Sequence, residues 1–267
     1  METIGYAGAL LMGLSLGLIG SGGAILTVPI LVYLFGIEPL LATTYSLFVV
    51  GLTSLVGAVA RANAGYIHWP TTLAFGIPSL VSVFLSRSYV LPLIPNPIFQ
   101  NTGFILSRSV FLLLLFAILM LIASFSMIRG QSEHTEDDVP HSPTIPSFYA
   151  VVIGVSVGCI TGILGAGGGF LIIPALVLKG KLPMKKAVGT SLVIIATNSL
   201  AGFWRDYELH ELINWRFLLY FSTIAIIGIL TGSALSHRIS GNKLKPIFGY
   251  FVLIMGFYII VKELFLS

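Results

Sequence analysis

The run Gly17-Leu18-Ile19-Gly20-Ser21-Gly22-Gly23, closed by Pro29, decides how this chain is read. It returns 145 residues later as Gly162-Ile163-Leu164-Gly165-Ala166-Gly167-Gly168-Gly169, closed by Pro174. Each copy lies in the middle of a long hydrophobic stretch, 5–35 in the first case and 147–178 in the second. A helix of ~30 residues is about 45 Å long, well beyond a hydrocarbon core of ~30 Å. Glycine is the residue that lets a helix break or reverse. Both stretches are therefore expected to be broken, as re-entrant hairpins of two half-helices. The competing reading is a single long, tilted helix that runs past the membrane.

Working outward, the same gap-free shift superposes Gly13 on Gly158, Ser46 on Ser191, Ser54 on Ser199 and Gly57 on Gly202. Apolar coincidences mean little in a chain this hydrophobic, but glycine, proline and serine coincidences at one offset mark a duplication. The expected fold class is an all-α integral membrane protein with eight hydrophobic segments in two repeated four-segment halves. The other six segments run near 40–60, 69–91, 107–128, 187–204, 216–236 and 246–261. Residues 1–128 form the first membrane repeat and 148–267 the second. Between them, 129–147 holds Glu133, Glu136, Asp137, Asp138, Pro140, Pro143 and Pro146 and reads as a polar linker. With the first segment of each half re-entrant, each half crosses three times and the halves are inverted, the arrangement expected here. Duplicated halves are a common build for secondary transporters, with substrate held between them near the midplane.

Composition supports lipid as the solvent. Hydrophobic residues make up 56% of the chain and charged residues 9%, with a mean hydropathy of +1.00. A soluble domain carries about 25% charged residues. The pI of 9.2 rests on few charges, with no basic face interleaved with aromatics, so no nucleic-acid partner is expected. The start, Met1-Glu2-Thr3-Ile4, lacks the basic region of a signal peptide, and its hydrophobic run is expected to stay in the mature protein. Cys159, beside Gly158, is expected to pack as a small apolar side chain. Lys179, Lys181, Lys185, Lys186, Arg238, Lys243 and Lys245 collect on one face, joined by Arg61 or by Arg87 and Arg108. The positive-inside rule makes that face cytoplasmic and leaves both termini outside.

The residues expected to hold a ligand follow from the breaks. A broken helix exposes backbone N–H groups at the start of its second half, with the positive end of the dipole behind them. Gly20, Ser21, Gly22 and Gly23, with Gly165, Gly167, Gly168 and Gly169, are therefore expected to form anion-binding backbone. The outer pairs Gly13/Gly17 and Gly158/Gly162 read instead as small-xxx-small packing positions. Thr44, Ser46, Thr190, Ser191 and Asn198 offer hydroxyls and an amide at related places on the following helices. Their competing role is bonding to their own or a neighbouring helix. Arg61 and Arg205 end those helices and are read either as anion-attracting or gating residues or as snorkelling interfacial cations. His68, Trp69, His210 and Trp215 fit an interfacial belt.

The absences are informative too. No Asp, Glu or Lys lies deep in a hydrophobic segment, and there is no P-loop, catalytic triad or His-Glu-x-x-His run. No enzyme activity, cofactor or metal is expected, and a neutral dipole-lined site suits a small anion better than a cation. An anion-selective channel on the same scaffold and a non-transporting membrane scaffold are the other function classes. A homo-oligomer stays open.

The two Gly-x-x-Gly-x-Gly-Gly … Pro runs, and Gly189-Thr190-Ser191-Leu192 after the second, resemble the sulfite exporter TauE/SafE family of membrane permeases, over nearly the whole chain. The resemblance implies a secondary transporter of small sulfur-containing anions, such as sulfite or organosulfonates, often outward, in the cytoplasmic membrane. The first half departs from the pattern. Ala24 stands where the second half has Gly169, and Thr44-Tyr45-Ser46 replaces Gly189-Thr190-Ser191, so Tyr45 is expected to add bulk beside the site.

Overall fold

The computed structural model describes residues 2–20, 23–101, 104–129, 147–165, 168–179, 182–206, 213–236 and 241–265. In chain order the helices are α1 (Glu2–Ile19), α2 (Ala24–Tyr33), α3 (Pro39–Asn63) and α4 (Trp69–Leu85). A π turn (Ser86–Val90) leads from α4 into the short α5 (Leu91–Leu93), followed by α6 (Arg108–Arg129). The second half holds α7 (Ser147–Leu164), α8 (Gly169–Pro174) with a second π turn (Ala175–Lys179), α9 (Met184–Arg205), α10 (Trp215–Leu235) and α11 (Gly241–Phe265). The described residues are overwhelmingly helical, as the all-α expectation has it, with one small addition. Phe99–Asn101 and Phe104–Leu106 form a small antiparallel ribbon, where Pro92, Pro95 and Pro97 have ended the helix. The linker, 130–146, lies outside the described residues.

Among the described residues, five helices are long and apolar enough to cross a membrane: Pro39–Asn63, Trp69–Leu93, Arg108–Phe125, Met184–Arg205 and Trp215–Leu235. Their most apolar windows fall into two groups. Those of α3 and α9 are 67% and 72% buried, while the other three are 39% buried. The first two are therefore the centre of the bundle and the others its wall. On the wall, Leu73, Ile77, Val81 and Phe84 of α4 are exposed at one-turn spacing, an outward apolar stripe that water would not tolerate and lipid does.

The glycine breaks are hairpins. Gly20 has φ 85° and Gly165 has φ 67°, a left-handed backbone that a side chain strongly disfavours. Past the first break the chain doubles back. A Cβ on Gly23 would collide with the Met12 carbonyl, one on Gly8 would lie 3.1 Å from Ile30 Cδ1, and Phe35 stacks edge-on against Tyr6. α2 thus returns antiparallel to α1, which excludes a single tilted helix for the first stretch. From Ala24 to Leu31 every residue of α2 is buried, so protein rather than lipid encloses it. Gly168 repeats the fold-back of Gly23, meeting Thr161 of α7 as Gly23 meets Leu16 of α1.

The halves interlock instead of standing side by side. α1 packs on α10 of the second half, with Gly13 against the Ala225 carbonyl. α7 packs on α4 of the first half in the same way, with Gly158 against the Ser79 carbonyl. α6 pairs with α11, and α3 pairs with its own counterpart, α9. In that central pair Gly51 meets Leu200, Gly57 meets Leu192 and Gly202 meets Leu47, so rising numbers on α3 face falling numbers on α9. The two counterpart helices are antiparallel.

Candidate functional site

The interlocking carries each hairpin tip to one end of the α3/α9 pair. At the second tip, Gly165 packs on Thr43 near the start of α3. There the Arg87 side chain, in the first π turn, is fully buried. Its Nε donates to Asp206 Oδ1 at 2.9 Å, its Nη2 pairs with Asp206 Oδ2, and its Nη1 donates to the Gly162 carbonyl at 3.0 Å. Thr44 Oγ1 completes the cluster by donating to Asp206 Oδ2 at 2.6 Å. One ion pair thus ties four elements together, with both charges compensated.

At the first tip, Gly20 packs on Val188 near the start of α9, the counterpart of the Gly165–Thr43 contact. The guanidinium here belongs to Arg61, at the end of α3 and 6% exposed. Its Nη2 donates to the Gly17 carbonyl at 3.1 Å and to Ser236 Oγ at 2.9 Å. Gly17 and Gly162 are counterparts in the repeat, so an arginine takes the equivalent carbonyl at each tip. The first tip differs in charge: no carboxylate pairs with Arg61 among the described residues, and its Nε is buried without a partner.

Between the tips lies the antiparallel crossing of α3 and α9. Asn198 Nδ2 donates to Ser79 Oγ of α4 at 2.6 Å, while its Oδ1 has no partner. The hydroxyls of Ser46 and Ser54 on α3, Ser199 on α9 and Ser222 on α10 are also buried without a partner among the described residues. Ser54 and Ser199 are counterparts at 0% exposure. Each unsatisfied buried group costs about 1–3 kcal/mol, so such a set is rarely kept for packing alone.

The residues marked by the sequence therefore fall into separate places. Thr44 and Gly165 stand at the second tip, with Gly168 folded back behind it and Gly169 opening α8. Gly20 and Arg61 stand at the first tip, with Gly23 packed on α1. Thr44 and Arg61 are about 25 Å apart along α3, so the two glycine breaks do not converge on one point. Thr190 accepts the His68 backbone N–H at 3.0 Å, and Ser191 Oγ donates to the Val188 carbonyl at 2.9 Å. Arg205 Nε donates to Ser88 Oγ at 2.7 Å. Ser46 and Asn198 keep unpartnered atoms. Ser21, Gly22 and Gly167, together with His210, lie outside the described residues.

Tyr45 is a capping partner. Its hydroxyl accepts the Asn214 backbone N–H at 2.6 Å, just as Thr190 serves His68. Asn214 and His68 in turn cap α10 and α4 by accepting from Phe217 and Thr71. Burial, and then the nearby Lys186, hold His68 below the ordinary histidine value of 6.5. Sequence reasoning did not find the Arg87–Asp206 pair. Asp206 follows Arg205 at a helix end and looks like an interfacial charge, and Arg87 is 119 residues away.

A family model described as sulfite exporter TauE/SafE matches residues 6–259. The chain is 31% identical to a probable membrane transporter protein of Xylella fastidiosa strain Temecula1, covering 98% of this chain and 95% of that one. It is 26% identical to the probable membrane transporter protein YunE of Bacillus subtilis, over 93% of each chain. It is 29% identical to the probable membrane transporter protein MJ0441 of Methanocaldococcus jannaschii, over 72% and 69%. No solved structure gives a significant match.

Proposed function

Because the chain belongs to the sulfite exporter TauE/SafE family of membrane transporters, we propose that it is a secondary transporter of small sulfur-containing anions, sulfite or organosulfonates, working outward across the cytoplasmic membrane. The observation that carries the reading is a set of buried polar groups on α3, α9 and α10 that have no partner among the described residues. Hydroxyls of Ser46, Ser54, Ser199 and Ser222 are donors without acceptors, and an oxyanion is an acceptor without donors once it leaves water. Holding it by neutral donors near the midplane lets the anion be bound and released without a large charge barrier.

An inverted repeat supports alternating access. The antiparallel α3/α9 pair and the exchanged α1/α10 and α7/α4 pairs agree with a two-fold axis across the helices, lying in the membrane plane. The hairpins then enter from opposite faces, each tip covering one end of the central pair. Export is supported by the family description alone.

Proteoliposomes loaded with sulfite test the reading. Uptake of labelled sulfite should saturate and be accelerated by sulfite or methanesulfonate on the far side. Ser54→Ala combined with Ser199→Ala, in well-folded protein, should cut the rate at least tenfold. Flux that rises linearly with concentration, without counterflow, would replace the transporter by an anion channel.

A further inference from the structure

We propose that Arg61 is the charged anchor at which this transporter takes its anion: a small oxyanion binds there as the Asp206 carboxylate binds Arg87 at the opposite tip. The inference rests on the anion-transport reading and deepens it, since that reading placed the ligand among neutral groups alone. At both tips a buried guanidinium donates to the equivalent hairpin carbonyl, Gly17 or Gly162. At the second tip the charge is met inside the protein, by Asp206 on Nε and Nη2. At the first tip Nε is buried and bare.

The repeat places Asp206 itself opposite Arg61, 145 residues on, so one half carries an acid where the other carries the base. The remaining described acids whose side chains are placed are elsewhere. Glu38 is exposed at the start of α3, and Glu263 receives the Tyr33 hydroxyl at 2.9 Å. A cation at 6% exposure without a carboxylate among the described residues is unfavourable, and the protein retains it. An oxyanion removes that cost and accepts the Nε–H, and a charge-assisted bond of this kind is about twice as strong as a neutral one. The same end of the α3/α9 pair presents Lys186, exposed in the first turn of α9, which favours approach of anions over cations. Arg61 donates to the Gly17 carbonyl and to Ser236 Oγ, which join α1 and α10 at this tip.

The decisive experiment is calorimetric titration of sodium sulfite into the purified full-length protein in a phosphate-free detergent. Wild type should bind saturably. Arg61→Gln should weaken binding at least tenfold, with Arg61→Lys between the two. Ser236→Asp keeps the guanidinium and sets a carboxylate on it, copying the second tip; it should raise the melting temperature and abolish sulfite binding. If Arg61→Gln does not fold, Ser236→Asp decides alone. Folded Arg61→Gln or Ser236→Asp protein that binds within twofold of wild type overturns the anchor and leaves the transport reading standing. Displacement of sulfite by phosphatidylglycerol micelles at matched headgroup concentration also overturns it, in favour of a lipid site. Wild type that binds neither sulfite nor methanesulfonate brings down the transport reading and the anchor together.

Discussion

At one hairpin tip a buried arginine is neutralised by an aspartate, and at the other a buried arginine has no carboxylate partner among the described residues. The scaffolds agree closely: counterpart glycines turn the chain, counterpart carbonyls receive the guanidinium, and counterpart helix starts cover the tip. A duplication preserves backbone geometry because packing punishes any change on either side. Charge is freer to diverge, because a carboxylate can be supplied by another helix or by a ligand. The first tip then suits reversible binding, while the second is a fixed joint.

The largest expected effect breaks the fixed joint. Asp206→Ala leaves the Arg87 charge buried and should lower stability by about 3–5 kcal/mol, read as a fall in the detergent melting temperature. Arg87→Leu combined with Asp206→Leu should recover most of that loss. A double-variant effect equal to the sum of the effects of Arg87→Leu and Asp206→Leu alone would mean that the pair is not coupled. Next come the counterpart crossings. Gly13→Leu and Gly158→Leu each force a side chain into a facing carbonyl, of Ala225 and Ser79, and should cost at least about 1–3 kcal/mol by similar amounts. Very unequal costs would break the equivalence of the two exchanged pairs. Smaller still, Tyr45→Phe and Thr190→Val each remove the acceptor of a helix-capping N–H and should cost about 1 kcal/mol apiece.

The smallest effect concerns pH. His68 has its folded value lowered by burial and by Lys186, so the unfolded chain binds the extra proton first as pH falls below 6.5. Stability should decline as pH drops through that window, level off once the folded ring is also protonated, and be unaffected above it. His68→Gln should flatten this part of a melting-temperature profile. The Nδ1 lone pair accepts the Thr71 N–H, so protonation also removes the cap of α4. Asn214, its counterpart, cannot titrate, which confines the response to one half.

The sequence made the breaks legible because glycine and proline punctuate a helix whatever surrounds it, and Gly20 and Gly165 turn where the repeat placed them. It also made the membrane class legible, because lipid leaves a compositional mark. Direction within each hairpin was not legible: a long tilted helix and a hairpin have the same composition, and contacts such as those of Gly23 with Met12 and of Gly8 with Ile30 separate them. Nor was the exchange of α1 and α7 between halves, since a glycine at position 13 says that something comes close without saying that it is Ala225. Arg61 appeared paired with Arg205, one residue out of register. The residue actually opposite it is Asp206, and its sign reverses the meaning of the comparison.

The exchange of arms has a consequence for synthesis. α1 is made first, yet the face of Gly13 and Gly17 is closed by Ala225 to Ser233, more than 200 residues later. At ~5–20 residues per second, that surface waits on the order of ten to forty seconds for its partner. Until α8 and α9 are made, the first hairpin has mainly α3 to pack on. A truncation before α10 should therefore leave an insertion intermediate that membrane quality control can recognise by its bare glycine groove.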